Sequence, residues 1–221
     1  MTLPFRFYLI TDRLHTRGQP GDWLPKLAQA GLRAVQVREK DLAPAALYTL
    51  AAQWRDAVAA QPGGAQATGA QATGAALAFY LNDRADLALS LGFAGVLLRE
   101  DSLPLARHAP LLRERLRFGV SCHSLEAVLA AEQAGAAFAT FGPVYETASK
   151  AAYGAPVGLG PLARAAARSP LPLLALGGVT PERVAACLGA GAWGVAAISA
   201  VWDADDPVAA LGKFGAALGG L

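Results

Sequence analysis

Two cysteines in 221 residues, Cys122 and Cys187, rule out a disulfide framework. No CxxC or Cys/His spacing surrounds either, so no zinc site is suggested. A reducing compartment, the cytoplasm, is the expectation. Charge is also scarce. Only 16% of residues are charged, the formal net charge is +2, and no basic run exceeds a few residues, which argues against nucleic acid or a membrane surface as a partner. No stretch approaches the ~18 consecutive apolar residues of a spanning helix. Met1 to Phe7 lacks the basic start and long apolar run of a secretion signal. The first apolar run ends in Thr11-Asp12-Arg13 without a Gly-x-Gly-x-x-Gly turn, which weakens the case for a dinucleotide-binding sheet.

What the chain has in quantity is apolar residues, 54% of the total, as expected of a sheet covered on both faces. Phe5 to Asp12 reads as a strand, and Asp22 to Gly31 as a helix closed by glycine. The pairing recurs at Ala34 to Val37, Ala78 to Leu81, Gly95 to Leu98, Arg117 to His123, Phe138 to Val144, Leu171 to Gly178 and Gly194 to Ser199, each followed by helical periodicity. Eight strand-then-helix units are what a closed barrel requires, so the expected fold is α/β, a single (β/α)8 TIM barrel forming one domain over 1–221. An open doubly wound sheet is the rival. Residues 61–76 carry a tandem Ala-Gln-Ala-Thr-Gly with nothing to bury, and read as a flexible loop opposite the βα loops.

On a barrel, side chains at the carboxyl ends of the strands converge on one face. Gln36, Arg38 and Lys40, two apart, would project together as a clamp for diphosphate, although polar residues flanking a strand on its outer surface would read the same way. Asn82-Asp83 suits Mg²⁺ and is equally a common turn. Ser121 and His123 are again two apart, and the histidine is either structural, a phosphate donor or an acid/base. Phe138 to Phe141 stops at Gly142-Pro143 and opens into Thr147, Ser149 and Lys150, a donor set for an anion or an ordinary polar loop. Gly177-Gly178 and Ile198-Ser199 end the last two strands, where barrels often hold phosphate, and Thr180-Pro181-Glu182 reads as a capped helix start. Two anion sites are expected, a diphosphate with metal and a monophosphate.

Six stretches in order, VQVREK at 35–40, LNDRADLAL at 81–89, GVSCHS at 119–124, FGPVYETASK at 141–150, ALGGVTPERV at 175–184 and GAWGVAAISA at 191–200, together resemble the thiamine phosphate synthase superfamily. That superfamily also contains the thiazole tautomerases. The resemblance implies a transferase that joins hydroxymethylpyrimidine diphosphate to thiazole phosphate and releases diphosphate with Mg²⁺. It implies that Gln36, Arg38, Lys40, Asn82, Ser121 and Lys150 meet the diphosphate substrate. Thr147, Ser149, Gly178, Ile198 and Ser199 would meet the thiazole phosphate, and Asp83 would be a metal ligand. Lys150, Arg38, Ser121 and His123 are the expected catalytic residues. The synthases' Gly-Gln-x-Asp, whose aspartate is the second metal carboxylate, is replaced by Arg99-Glu100-Asp101-Ser102. The ungapped counterpart of that aspartate is Ser102, and Asp101 is the expected substitute ligand if the loop shifts. Glu146-Thr147 and the residues after His123 also resemble the tautomerase branch, in which His123 would move a proton without metal. That branch is the alternative, and a non-catalytic phosphate-binding barrel the third reading. The implied partners are small phosphorylated molecules, and the oligomeric state, a homodimer included, stays open.

Overall fold

The structure is a computed structural model that describes residues 3–61, 66–67, 76–147 and 156–221. Eight parallel strands close on themselves. They are β1 (Phe7–Ile10), β2 (Ala34–Val37), β4 (Leu77–Asn82), β5 (Gly95–Leu98), β6 (Arg117–Cys122), β7 (Phe138–Phe141), β8 (Leu173–Ala175) and β9 (Gly194–Ala197). Closure comes from β1 pairing with both β2 and β9, while β2 pairs with β4 from Ala34↔Ala78 to Val37↔Leu81. A two-residue strand β3 (Gln66–Ala67) adds parallel to the start of β4, so this part of 61–76 joins the sheet instead of remaining a loop. Residues 62–65 and 68–75 lie outside the described residues. Helices follow the strands in order: α1 (Pro20–Gln29), α2 (Pro44–Ala59), α3 (Ala85–Ser90), α4 (Pro110–Arg115), α5 (Leu125–Gln133), α6 (Leu159–Arg168), α7 (Val184–Gly189), and α8 (Ser199–Trp202) with α9 (Pro207–Leu218). This is the (β/α)8 TIM barrel.

The near-continuous apolar strands are explained by two cores, one on each face of the sheet. The outer core joins strands to helices, as where Phe7 meets Phe214 of α9 at 4.7 Å. The inner core gathers Leu3, Phe5, Tyr8, Tyr80, Phe138 and smaller residues inside the barrel. Its rings form a closed set, with Tyr8–Tyr80 at 5.5 Å, Tyr80–Phe138 at 5.6 Å and Phe5–Tyr8 at 5.6 Å, each aromatic pair contributing ~0.5–1.5 kcal/mol beyond burial. Gly119 makes this possible, since a Cβ there would stand 2.4 Å from the Phe138 ring.

Because period two alternates the faces, the inward residues beyond this aromatic layer are Asp12, Gln36, Asn82, Ser121 and Thr140. Large apolar groups fill the amino-terminal half, and polar groups crown the carboxyl-terminal half. No described helix is long and apolar enough to cross a membrane.

Candidate active site

The first half of the site is built on β1, β2, β4 and β5. Gln36 is fully buried and donates Nε2–H to Asn82 Oδ1 at 2.9 Å, across the β2–β4 pairing. Its Oε1 is buried with no protein partner, an orphan acceptor of the kind that a ligand donor satisfies. Arg38 follows, half-buried, with Nη1 3.4 Å from Asp12 Oδ2. Lys40 is exposed, and burial of its stem with the nearby charges of Arg38 and Arg99 pulls its ammonium below the ordinary lysine value. Gln36 and Arg38 therefore share the inner rim with Asn82 and Asp12, and the outer-surface reading does not hold for those two, while Lys40 stands exposed near Arg38.

Asp83 has φ 61, the only positive φ among described residues other than glycine. Strain of that kind collects at functional positions. Ser102 Oγ donates to Asp83 Oδ1 while accepting from the Arg99 amide at 2.8 Å. Asp101 is turned elsewhere: its carboxylate takes the Arg99 guanidinium at 2.8 and 2.5 Å, which holds its pKa below the usual range. The expectation that Asp101 stands in for the second metal carboxylate is thus not met by its placement. The short loop keeps its register, so the ungapped residue, Ser102, faces Asp83. Among described residues no group of three His, Cys, Asp or Glu side chains is placed to hold a metal ion. The donor set still fits Mg²⁺, which is commonly held by one or two carboxylates with waters and substrate phosphate oxygens. Asp83 would be its protein carboxylate.

The second half is a cavity of 260 Å³ lined by Thr147, Gly177, Gly178, Thr180, Ile198 and Ser199 among others. Gly178 adopts φ 60, and a Cβ there would meet the Glu146 carbonyl oxygen at 2.3 Å. Residues 143–147 are strapped against this turn by Val144 N–Leu176 O (2.8 Å) and Tyr145 N–Gly177 O (3.0 Å). Arg183 donates to the Gly178 carbonyl at 2.5 Å and lies over the Tyr145 ring at 4.5 Å. Thr180 precedes a 3-10 turn, Pro181–Arg183, ahead of α7, and its hydroxyl makes no capping bond to that turn.

Between the halves lie Ser121 and Thr140, paired in register, and His123. His123 Nδ1–H donates to the Gly142 carbonyl, tying β6 to the turn that ends β7. Cys122, on the other face, is inert: burial, with the charge of Glu100, pushes its thiol up to about 12. Ser149 and Lys150 lie outside the described residues. The described chain on either side of them is joined by Val157 N–Pro143 O at 2.8 Å.

The family model described as thiamine monophosphate synthase matches residues 7–201, nearly the whole barrel. The chain belongs to that family. It is 42% identical over 206 residues to a provisionally named thiamine-phosphate synthase of Geobacter sulfurreducens, covering 92% of this chain and 89% of that one. It is 35% identical over 188 residues to a thiamine-phosphate synthase of Chlorobium luteolum, covering 85% and 82%. Among solved structures, thiamine phosphate pyrophosphorylase from Pyrococcus furiosus superposes with TM-score 0.79 at 25% identity, over 97% of this chain and 95% of that one. A 3-hexulose-6-phosphate synthase shares the fold alone, with TM-score 0.66 at 16% identity.

Asp12 and Thr140 also face this rim and were not singled out in the sequence, while Ser102 was singled out there as the ungapped counterpart of a carboxylate. Asp12 and Thr140 were accessible by period two from Tyr8 and Phe138. Ser102 was noticed only as a missing carboxylate, and its bond to Asp83 depends on a loop shape that spacing does not reveal.

Proposed function

We propose that this chain is a thiamine-phosphate synthase, a transferase that joins hydroxymethylpyrimidine diphosphate to thiazole phosphate and releases diphosphate. The observation that supports the reading is one barrel rim with two separate groups of residues suited to anions. Gln36, Arg38, Lys40 and Asp83 stand at one side, and the glycine-lined cavity at Gly178 and Ser199 at the other. A tautomerase has one phosphate to hold and no diphosphate to clamp, and the relatives named above carry synthase names.

The reaction breaks the bond from the pyrimidinylmethyl carbon to a diphosphate oxygen, the electron pair leaving with diphosphate. The thiazole nitrogen then donates its lone pair to the cation-like carbon. Asp83 would hold a Mg²⁺ ion, which would supply positive charge to the departing oxygens. Arg38 adds a held, half-buried cation on the same charge, worth more there than in water, and Lys40 adds a second, exposed one. Asp12 fixes Arg38, and Ser102 fixes the Asp83 carboxylate. The cavity at Gly178 holds the thiazole phosphate so that its nitrogen faces the carbon, which makes the attack effectively unimolecular. Ser121 and Lys150 are assigned to the diphosphate, and Thr147 and Ser149 to the thiazole phosphate. His123 is assigned to hold the Gly142 turn between them. Free, buried Cys122 and Cys187 support a reducing, cytoplasmic setting.

The test is incubation of purified protein with both phosphorylated halves and Mg²⁺. Thiamine phosphate and diphosphate should form in equal amounts. Conversion of thiazole carboxylate phosphate between tautomers, without condensation, would overturn the proposal.

A further inference from the structure

Behind the cationic rim, on the face of β2 turned away from the substrate, lies a buried carboxylate, paired with Arg13, that the reaction does not use. Glu39 sits between Arg38 and Lys40 in sequence, and its side chain is 1% exposed. It accepts Thr11 Oγ1–H at 2.6 Å on one oxygen, and on the other the Arg13 amide at 3.2 Å and Arg13 Nη1–H at 3.1 Å. Arg13 also donates to both Asp41 oxygens, at 2.7 and 2.6 Å. Thr11 Oγ1 in turn accepts the amide of Arg38 at 3.0 Å. Every residue from 38 to 41 except Lys40 is thus bound to the loop that follows β1.

A buried carboxylate is costly for a fold unless it is fully paired, and burial does push the Glu39 carboxyl up against the pull of Thr11 and Arg13. The outer core beside it is apolar and would be served as well by leucine. What leucine would not do is fix the backbone of three residues past the last β2 pairing, Val37↔Leu81. Side chains that leave a strand end alternate about that backbone, so a rotation at 39 swings Arg38 and Lys40 together.

We propose that Glu39, held by Thr11 and Arg13, is a positioning residue that sets the direction of Arg38 and Lys40 and so governs affinity for diphosphate. The inference rests on the synthase reading for its substrate, but its central test does not. Glu39→Gln keeps the acceptor for Thr11 and turns an amide donor toward the donors of Arg13, which frees one side of the cluster without changing its volume. Asp41→Asn loosens Arg13 from the exposed end. Inorganic diphosphate binding, read by calorimetry, should weaken about tenfold in Glu39→Gln and two- to threefold in Asp41→Asn, as expected for cations misplaced by a fraction of an ångström.

In turnover, KM for the pyrimidine diphosphate should rise by the same factor while KM for thiazole phosphate stays at its wild-type value. A merely structural Glu39 would raise both KM values alike or lower the melting temperature with diphosphate affinity intact, and either result overturns the proposal. Unchanged diphosphate affinity in both variants also overturns it. If the wild type makes no thiamine phosphate, the synthase reading fails, and the calorimetric comparison still decides this one.

Discussion

Replacing Gly178 with alanine tests the thiazole phosphate cavity most directly, because the two costs of the change can be separated. At φ 60 alanine is strained by ~1–2 kcal/mol. Reduced freedom of the unfolded chain returns ~0.4–1 kcal/mol, leaving a net loss near ~1 kcal/mol. In a domain of this size that lowers Tm by roughly 2–4 °C. The second cost is steric. The new Cβ would lie 2.3 Å from the Glu146 carbonyl oxygen and 2.9 Å from Tyr145 Cβ, both on the segment leading to Thr147. That segment must retreat by about 1 Å, a misplacement that costs up to ~100-fold in a reaction controlled by positioning. Gly219 is the control: its φ is 74 and a Cβ there meets nothing within 4 Å. Gly219→Ala should lose only the strain cost, melting no lower than Gly178→Ala, and react like wild type. Steady-state kinetics should show KM for thiazole phosphate raised ten- to a hundredfold in Gly178→Ala, with KM for the diphosphate substrate little changed. If Gly178→Ala binds thiazole phosphate like wild type, that cavity is not its site.

Arg38→Ala and Lys150→Ala should each lower kcat by ~100-fold or more with Tm unchanged, and undiminished turnover in either would remove that residue from the diphosphate clamp. Lys40, held below the ordinary lysine value by burial and by Arg38 and Arg99, loses its charge at a lower pH than a solvated lysine. The alkaline limb of kcat/KM should fall correspondingly early. Arg99→Ala removes one repelling charge and should move that limb to higher pH, and a shift to lower pH would contradict the assignment. Ser102→Asp places a second carboxylate against Asp83, so Mn²⁺ binding followed by electron paramagnetic resonance should tighten at least tenfold. No gain would mean that Asp83 does not face the metal.

Strand order and the rim were legible because they follow from alternation. Gln36, Arg38, Asn82 and Ser121 lie on the inner face that period two assigns them, and Ala34–Val37 and Gly95–Leu98 have the bounds their apolar runs indicate. The runs overstated β7 and β8, since Gly142-Pro143 and Leu176 to Gly178 are apolar or small but form turns rather than ladder. The pairing of Gln66–Ala67 with β4 had no signal, because two residues are too few to show a strand's alternation and join the sheet through backbone bonds. Asp101 misled for a related reason. A carboxylate two residues from Arg99 satisfies that guanidinium locally, and only the loop's shape shows that Ser102 is the residue left facing Asp83. Glu39 was hidden by its neighbours: a charged residue between Arg38 and Lys40 looks solvated until its burial is known.

The interlocked rings of Phe5, Tyr8, Tyr80 and Phe138 have a kinetic consequence. They close the barrel from below, so among the described residues the rim above is the approach to both halves of the site. On the proposed assignment of the two reactants to Arg38 and Gly178, both approach from that rim, and whichever occupies the outer position gates the traffic of the other. Turnover is therefore expected to follow an ordered sequence of arrivals and departures, with slow exit of the deeper-lying product visible as inhibition by that product.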